Sequence, residues 1–515
     1  MRFERLFKFL SVAAVFMFAS QCLAKHGNRV DENQRLNSLD SVPDWQPRHV
    51  HLAYGRNTSS VVVTWSTISN TSDSLVEWGT DLFDLNAVSS GVSTVFVDGG
   101  SLKATQFIHR VHLYGLQPAT TYYYHAGSVI QIITHDLTDY HAGSSQGWSA
   151  VFGFKTVPAG TRGWPLRLAK VTCPLTHQMT CSLYQMTCPL YQVMCPLYQV
   201  MCPLYQVTCP LYQVMCPLYQ VMCPLYQVMC PLYQVTCPLY QVTCPLYQVT
   251  CPLYQVTCPL YQVTLQQEAH QGMYDAVLHV GDMAYDMISD NGSMGDAFME
   301  QIEPVAAYLP YMTCPGNHES AYNFSQYRNR FSMPNYEDTE SIFYSFDMGP
   351  VHFVSISTEV YYYGLLREIS RQYTWLIQDL EAANTAEARA ERPWIILYGH
   401  RPMYCSTNDK DDCTHVNCRT RVGLPFTNWK TTALCENRGP VHVTTGSAGC
   451  KEDLDGFQLE QPAWSAVRVK DYGYTRLTVH NHTHLYWEQV SDDQAGVLTD
   501  SVWLVRDSHE PFDTS

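Results

Sequence analysis

The sequence lacks an excess of basic residues, because 31 lysines and arginines stand against 47 aspartates and glutamates, a formal net charge of −16. An acidic chain repels nucleic acid and anionic lipid surfaces, so we expect no nucleic-acid partner. Beyond its first residues it also lacks an apolar run of transmembrane length, and we expect no membrane span. With 515 residues, 46% of them apolar, the chain is long enough for two domains with separate cores.

The first residues have the pattern of a targeting segment. Arg2, Arg5 and Lys8 precede an apolar run, residues 9–19, that is too short to cross a bilayer comfortably. Small residues near Ala24 suit a cleavage site. This pattern predicts a signal peptide of residues 1–24 and a secreted protein, or one of the secretory pathway and lysosome. A membrane anchor is the alternative.

Two further features agree with a secretory route. Cys405, Cys413 and Cys418 lie close together in sequence, which predicts one or two disulfides whose pairing stays open. Asn-x-Ser/Thr sequons favour a glycoprotein. The predicted glycosylation sites are Asn57, Asn70, Asn291, Asn323 and Asn481.

Residues 171–264 form a low-complexity array with the repeat Cys-Pro-Leu-Tyr-Gln-Val-Thr/Met, which holds thirteen of the twenty cysteines. A proline in every repeat excludes a coiled coil. The units are nearly identical and vary mainly between Thr and Met, whose codons can differ by one base. This favours a translated minisatellite or a mispredicted exon, and we expect the array to be disordered or poorly packed. A cysteine-rich metal or disulfide array is the alternative, although it lacks the close cysteine pairs of zinc sites.

Residues 45–158 alternate apolar and polar side chains over short runs, as in 60–65 and 107–113, with turn residues between them. This pattern is typical of an all-β domain. The stretch 116–124 resembles the corner of a fibronectin type III-like sandwich. A domain of this kind usually packs against a catalytic partner and does no chemistry itself.

Residues 165–505, apart from the array, alternate predicted strands and helices, an α/β or mixed α+β order whose strand-end loops bind ligands. The predicted helices are 297–307 and 366–383. The predicted strands are 166–169, 276–280, 311–314, 342–346, 351–356, 394–398, 441–445, 465–469 and 474–479.

Three short motifs, each after a predicted strand, carry side chains that suit metal ions and phosphate. They are Gly281-Asp282 with Tyr285, then Gly316-Asn317-His318-Glu319, then Gly399-His400. A carboxylate can bridge two cations, a phenolate suits trivalent iron, and amide oxygen and imidazole suit a divalent ion. A histidine beside a bound phosphate can act as a general acid or orient an ester oxygen. Any one motif is usually only a turn, whereas three in this order are much less frequent by chance.

These motifs and their surroundings resemble the purple acid phosphatases, a family of metallophosphoesterases, and in particular the animal acid phosphatase type 7 group. The resemblance covers nearly the whole chain except the array and the region near residue 425. It rests on YDAVLHVGDMAYDM (274–287), LPYMTCPGNHESAYNFSQYRNRFSMP (309–334), RPWIILYGHRPMYCS (392–406) and GPVHVTTGSAGC (439–450).

The resemblance implies a fold, a cofactor and an activity. The N-terminal sandwich would be followed by a four-layer metallophosphoesterase β-sandwich flanked by helices. A binuclear centre would pair Fe(III) with Fe(II), Zn or Mn, with Asp282 bridging, Tyr285 on the ferric ion, and Asn317 and His400 on the divalent ion. His318 would contact the substrate, a phosphate monoester hydrolysed at acidic pH.

The chain departs from the family pattern at two motifs. Where an Asp-containing turn should end the strand 166–169, Lys170 follows and the array begins. Between His400 and Gly439 the expected GHxH motif is missing, and only His415 is present. Four of the family's seven ligand positions therefore remain, and we expect poor metal binding with slow or no hydrolysis.

Three hypotheses follow for the function. The chain is an acid phosphatase whose gene sequence is damaged at two motifs, a secreted pseudoenzyme that binds without catalysis, or a structural protein whose functional part is the array. Two motif losses that coincide with an array and a deletion favour the first. The sequence does not fix the oligomeric state, the substrate or the second metal.

Overall fold

The computed structural model describes residues 43–128, 147–171, 265–402, 404–408, 441–448, 454–463 and 465–506, and the backbone alone of 14–18, 230–231, 233–235 and 260–264. The chain divides into two compact units, of which one is Leu175–Thr264 and the other comprises everything else. The unit Leu175–Thr264 lies almost entirely outside the described residues. The expectation that the array is disordered concerns these residues and therefore stays a prediction. All site residues belong to the larger unit.

The elements follow the predicted order of an all-β part and then a mixed part. The strands are β1 (Ala14–Phe18), β2 (Arg48–Tyr54), β3 (Ser60–Thr67), β4 (Leu75–Gly79), β5 (Ala87–Ser90), β6 (Val92–Val97), β7 (Thr105–Tyr114), β8 (Thr121–Gly127), β9 (Phe152–Lys155), β10 (Leu166–Val171), β11 (Cys230–Pro231), β12 (Tyr233–Val235), β13 (Ala276–Val280), β14 (Tyr311–Cys314), β15 (Tyr344–Met348), β16 (Val351–Ser355), β17 (Trp394–Tyr398), β18 (Val441–Thr444), β19 (Gly473–Val479), β20 (His484–Ser491) and β21 (Val497–Val505). The α-helices are α1 (Leu260–His270), α2 (Ser293–Ala306), α3 (Ala321–Arg330), α4 (Tyr336–Thr339), α5 (Glu359–Tyr362), α6 (Leu366–Ala383) and α7 (Ala386–Glu391). Two short 3-10 helices are Ser289–Gly292 and Asn317–Glu319.

The N-terminal part consists of two four-stranded antiparallel sheets, ordered β2-β3-β7-β6 and β5-β4-β8-β9. Apolar residues of both sheets are buried, among them Val63, Trp65, Val111 and Tyr124. These are the positions that strand alternation turns inward. The predicted all-β domain is therefore present.

The following part is built on two mixed sheets. One has the order β14-β13-β10-β19-β20-β21, with β10, β13 and β14 parallel and the remaining pairs antiparallel. The other has the order β15-β16-β17-β1-β18, in which β16, β17, β1 and β18 run parallel. The hydroxyl of Tyr344 in the second sheet donates to the carbonyl of Thr313 in the first, 2.6 Å away.

Strand β1 lies within the segment that the sequence predicts as a signal peptide. It is inserted between β17 and β18, with Ala14 opposite Ile395 and Val15 opposite Val441. Cleavage after Ala24 would remove this strand. A mature chain without the signal peptide would therefore lack β1. Cleavage itself remains a prediction.

One predicted strand, residues 465–469, is wrong. This segment is irregular. The side-chain amide of Gln461 donates to the carbonyl oxygens of Ser465 and Ala466, at 2.5 and 3.3 Å, so side-chain bonds replace part of a sheet ladder there. Alternation of apolar residues does not reveal such local competition.

Helix α6 covers one face of the second sheet. Leu376 and Leu380 are buried against Val354 of β16 and Ile395 and Leu397 of β17. The spacing of four between the two leucines places them on one side of the helix, facing the sheet. This packing fixes β17, and thereby the turn that follows it at His400.

Polar contacts join the N-terminal sandwich to the second part. Arg110 Nε donates to Ser332 Oγ at 2.9 Å, and Tyr124 Oη donates to the carbonyl of Ala307 at 2.9 Å. The backbone N–H of Val50 donates to Glu303 Oε2 at 2.8 Å. The sandwich therefore packs closely on helix α2 and its surroundings.

Four of the predicted glycosylation sites, Asn57, Asn70, Asn323 and Asn481, are exposed. Asn291 is half-buried, and its Oδ1 accepts a hydrogen bond of 3.1 Å from the backbone of Leu102. Glycosylation at all five stays a prediction. No helix in the described part of the chain has the length and apolar character needed to cross a bilayer.

A charged cluster at His352 joins the β15–β16 hairpin to α6. Its Nδ1 lies 2.7 Å from Asp347 Oδ1, and its Nε2 lies 2.9 Å from Asp379 Oδ2. Burial disfavours the imidazolium, but these two hydrogen bonds and the carboxylate charges outweigh burial and raise the pKa of His352 from 6.5 to about 9. The folded protein therefore binds this proton more tightly than the unfolded chain does.

We predict that the free energy of unfolding falls as pH rises from 6.5 to about 9. Because the folded pKa of His352 is raised, its contribution is fully present below pH 6.5 and is lost as pH rises through 9. The shift corresponds to about 3 kcal/mol in total. Unfolding midpoints in urea at pH 6 and pH 9.5 should differ in the wild type and differ much less in His352→Gln. Equal pH dependence in both proteins would contradict this role.

Candidate metal centre

The three predicted motifs follow strands whose C-terminal ends lie at one edge of the two sheets. Asp282 follows β13, Asn317 follows the neighbouring parallel strand β14, and His400 follows β17. Asp282 has a positive φ of 50° and Gly281 one of 73°. Such conformations cost energy for a residue other than glycine and cluster at functional sites. The tight turn after β13 is what directs Asp282 inward.

Two glycines allow these turns to approach one another. A Cβ atom on Gly281 would lie 2.3 Å from His400 Nδ1, and one on Gly316 would lie 2.2 Å from Asp282 Oδ1. Both distances are far below van der Waals contact, so any side chain would push a ligand out of place. The motif glycines are therefore required by the close packing of the site.

Asp282, Asn317 and His400 converge on one point. His400 Nε2 lies 2.9 Å from Asn317 Oδ1 and 3.2 Å from Asp282 Oδ2. Asp282 and His400 are buried, and Asp282 Oδ2 has no hydrogen bond of good geometry. A buried carboxylate oxygen facing an imidazole nitrogen and an amide oxygen is a donor set that a divalent cation accepts.

His318 and Tyr285 lie beside these three residues. The backbone N–H of His318 donates to Asp282 Oδ1 at 3.2 Å, and the rings of His318 and Tyr285 lie 4.3 Å apart. His318 Nδ1 is 2.9 Å from Asp286 Oδ1. The structure thus brings all five sequence-predicted residues into one region, with Asp286 orienting the histidine.

Glu319 ties two of the turns together. Its carboxylate accepts hydrogen bonds of 2.8 Å from the backbone N–H groups of Asp282, Met283 and Gly316. Glu319 is only 2% exposed. One buried side chain therefore fixes the loops that carry both Asp282 and Asn317.

The turn at His400 is held by a buried ion pair. Arg401 Nε lies 2.8 Å from both oxygens of Glu359, and its backbone N–H donates to Thr358 Oγ1 at 2.9 Å. Its guanidinium also lies 3.7 Å from the ring centre of Tyr362. Because Arg401 directly follows His400, this pair positions the imidazole.

Comparisons with known proteins match three successive parts of the chain. Residues 47–156 match the family described as "Purple acid Phosphatase, N-terminal domain", 260–443 match "Calcineurin-like phosphoesterase", and 439–501 match "Iron/zinc purple acid phosphatase-like protein C". The chain is 37% identical over 512 residues to "Acid phosphatase type 7" of Danio rerio, with 90% of this chain and 93% of that protein covered. The chain belongs to the purple acid phosphatase family.

Two further relatives agree. "Acid phosphatase type 7" of Homo sapiens is 37% identical over 506 residues, covering 90% of this chain and 92% of that protein. The solved structure of purple acid phosphatase PPD1 from yellow lupin (Lupinus luteus) seeds has a TM-score of 0.59 and 18% identity, over 90% of this chain and 75% of that one. At that identity the lupin structure supports the fold alone.

The purple acid phosphatase family implies a pair of metal ions, and the described residues fit one better than two. His400, Asn317 and Asp282 supply three converging donors. The described residues contain no group of three or more His, Cys, Asp or Glu side chains suited to a metal. The two motifs missing from the sequence would fall mainly at residues outside the described part. For the second ion, the resemblance leaves Asp282 and Tyr285.

The electrostatics of this purple acid phosphatase site keep Asp282 ionised and His400 protonated over a wider pH range. Burial opposes the charge on Asp282, but His400 and His318 outweigh burial and hold its pKa at about 2. Burial likewise opposes the charge on His400, and Asp282 nevertheless raises its pKa. A metal ion must therefore displace a well-held proton from His400, so its binding weakens as pH falls.

Lys170 directly follows the predicted strand 166–169, where the resemblance leads us to expect an aspartate turn. It is 1% exposed at the end of β10, opposite Leu278 of β13, and its Nζ donates to the carbonyl of Thr445. Burial holds its pKa well below the ordinary value.

Sequence reasoning missed Asp286, the Glu359–Arg401 pair and the bonding of Lys170. Asp286 follows Asp282 by four residues, and its acidic side chain was a visible signal. Glu359 lies 42 residues before Arg401, so only the fold could pair them. Lys170 was visible as a charged residue ending a buried strand, a pattern that calls for a partner.

Proposed function

We propose that this protein is a hydrolase of phosphate monoesters whose metal centre has lost some of its ligands. Turnover is therefore slow compared with its relatives. The single observation that carries the proposal is the convergence of Asp282 Oδ2, Asn317 Oδ1 and His400 Nε2 beside His318. A site of this composition suits phosphate chemistry more than any alternative that the fold offers.

The residues have distinct proposed roles. Asp282, Asn317 and His400 would hold a divalent ion, and Asp282 with Tyr285 would remain for Fe(III), with Fe(II), Zn or Mn as the divalent partner. Bound there, the metals would supply Lewis-acid polarisation of a phosphate oxygen. His318, oriented by Asp286, would hold the proton that the leaving alcohol oxygen takes up.

A second candidate function, a secreted pseudoenzyme that binds without catalysis, is favoured by Lys170. If this amine carries its proton, its charge would oppose metal binding, because charges interact more strongly in the low dielectric of the interior. Together with the loss of two ligand motifs, it argues for weak occupancy of the second metal position. Sequencing the native messenger RNA across residues 165–270 and 420–440 separates the two functions, because a damaged gene sequence would be replaced there by both motifs.

We predict that the recombinant protein binds fewer than two metal ions per chain, because direct ligands are missing. For the same reason, its hydrolysis of p-nitrophenyl phosphate should be slower than that of the Danio rerio relative by a factor of more than about 100. Metal analysis and turnover at pH 5 check this. His400→Ala should abolish the remaining divalent binding, whereas Lys170→Met should strengthen it. Two metal ions per chain, with turnover equal to that of the relative, would refute the proposal that the metal centre has lost ligands.

A further inference from the structure

Arg389 is a buried cation for which the described residues provide no hydrogen-bond acceptor. It lies on α7 and is 1% exposed. No residue in the described part of the chain accepts a hydrogen bond from its Nε, Nη1 or Nη2. A buried guanidinium with all its side-chain donors unpaired is strongly unfavourable, so native structures normally provide an anion for it.

The charged residue that acts on Arg389 is a second arginine, Arg506, and not a carboxylate. Burial and the charge of Arg506 together lower the pKa of Arg389 to about 10. The backbone N–H of Arg506 donates to the carbonyl of Thr483 at 2.9 Å, which sets it at the turn joining β19 to β20. In a chain of net charge −16, a second positive charge acting on a buried guanidinium that has no described hydrogen-bond acceptor is a local excess of positive charge.

This pair lies away from the metal centre. Arg389 precedes β17, whereas His400 follows it. A five-residue strand spans roughly 16 Å, so the two sites lie at opposite edges of the same sheet. The Nε1–H of Trp394, at the start of β17, donates to the carbonyl of Asn481 at 2.9 Å, which fixes the β19–β20 turn at this edge.

We propose that Arg389 and Arg506 form an oxyanion site at the edge of the sheet opposite the metal centre. The planar guanidinium presents paired N–H groups that match two oxygens of a carboxylate, sulfate or phosphate. The oxyanion that this site suits is a free inorganic anion such as sulfate or phosphate.

The test is thermal unfolding of the full chain in sodium sulfate and in sodium chloride of equal ionic strength. Sulfate at ten times its dissociation constant should raise the Tm of the wild type by roughly 1–2 °C over chloride. The rise should vanish in Arg389→Met and persist in Arg392→Met, which changes a neighbouring arginine paired with Asp347. If Arg389→Met does not fold, Arg389→Lys keeps the charge, removes the paired donors and should reduce the rise at least by half.

The proposal is overturned if sulfate raises the Tm of the wild type no more than chloride does, or if Arg389→Met keeps the full rise.

Discussion

Replacing Glu319 with alanine is expected to destabilise the protein by about 3 kcal/mol and to remove divalent metal binding. The carboxylate accepts three backbone hydrogen bonds of 2.8 Å, and its loss leaves the N–H groups of Asp282, Met283 and Gly316 without their acceptor. Each hydrogen bond to a charged acceptor is worth about 1.5–3 kcal/mol. We expect a total of about 3 kcal/mol, below the sum of three such bonds, because burial and the charge of Asp282 raise the pKa of Glu319 to about 7 and so oppose its ionised form.

The control for this variant is Glu303→Ala, which removes a carboxylate that accepts one backbone bond, from Val50 at 2.8 Å. Thermal unfolding should show a Tm decrease for Glu303→Ala smaller than that for Glu319→Ala, and isothermal titration with Zn²⁺ should be affected only by the latter. A loss below about 1 kcal/mol for Glu319→Ala would show that the turns hold their shape without it.

Much of the fold around the site was predictable because its strands are short, apolar and bounded by glycine turns. The predicted strands 276–280, 311–314 and 394–398 coincide with β13, β14 and β17, and helix 366–383 coincides with α6. Each lies in a run where hydrophobic periodicity and turn residues indicate the same element. The convergence of Asp282, Asn317 and His400 then follows from parallel strands ending at one edge.

The remainder depended on contacts that no local pattern encodes. Residues 465–469 alternate like a strand, yet the side chain of Gln461 satisfies two of their carbonyl groups. The β1 segment reads as a targeting sequence, and its position between β17 and β18 could not be derived from its composition. Partners far apart in sequence, such as Glu359 and Arg401, become adjacent only when two strand ends meet.

Replacing Glu359 alone is the second variant with a large expected effect. Glu359 and Arg401 are 0% and 1% exposed, so Glu359→Ala leaves a guanidinium buried without its counter-charge. Breaking a buried pair on one side costs about 3–5 kcal/mol. Because Arg401 adjoins His400, we expect the affinity for Zn²⁺ to fall with stability, although Glu359 contacts no proposed ligand.

A double replacement separates charge from shape. Glu359→Leu with Arg401→Met removes both charges and keeps apolar volume, so it should recover most of the stability lost in Glu359→Ala. The comparison pair Glu368 and Arg371 lies on α6, where Arg371 is 35% exposed, and Glu368→Ala should cost less than about 1 kcal/mol. If Glu359→Ala proved as mild as Glu368→Ala, the buried pair would not hold the His400 turn. If the double variant regained stability but not Zn²⁺ affinity, the ion pair would set the position of His400 by its hydrogen bonds and not by filling space.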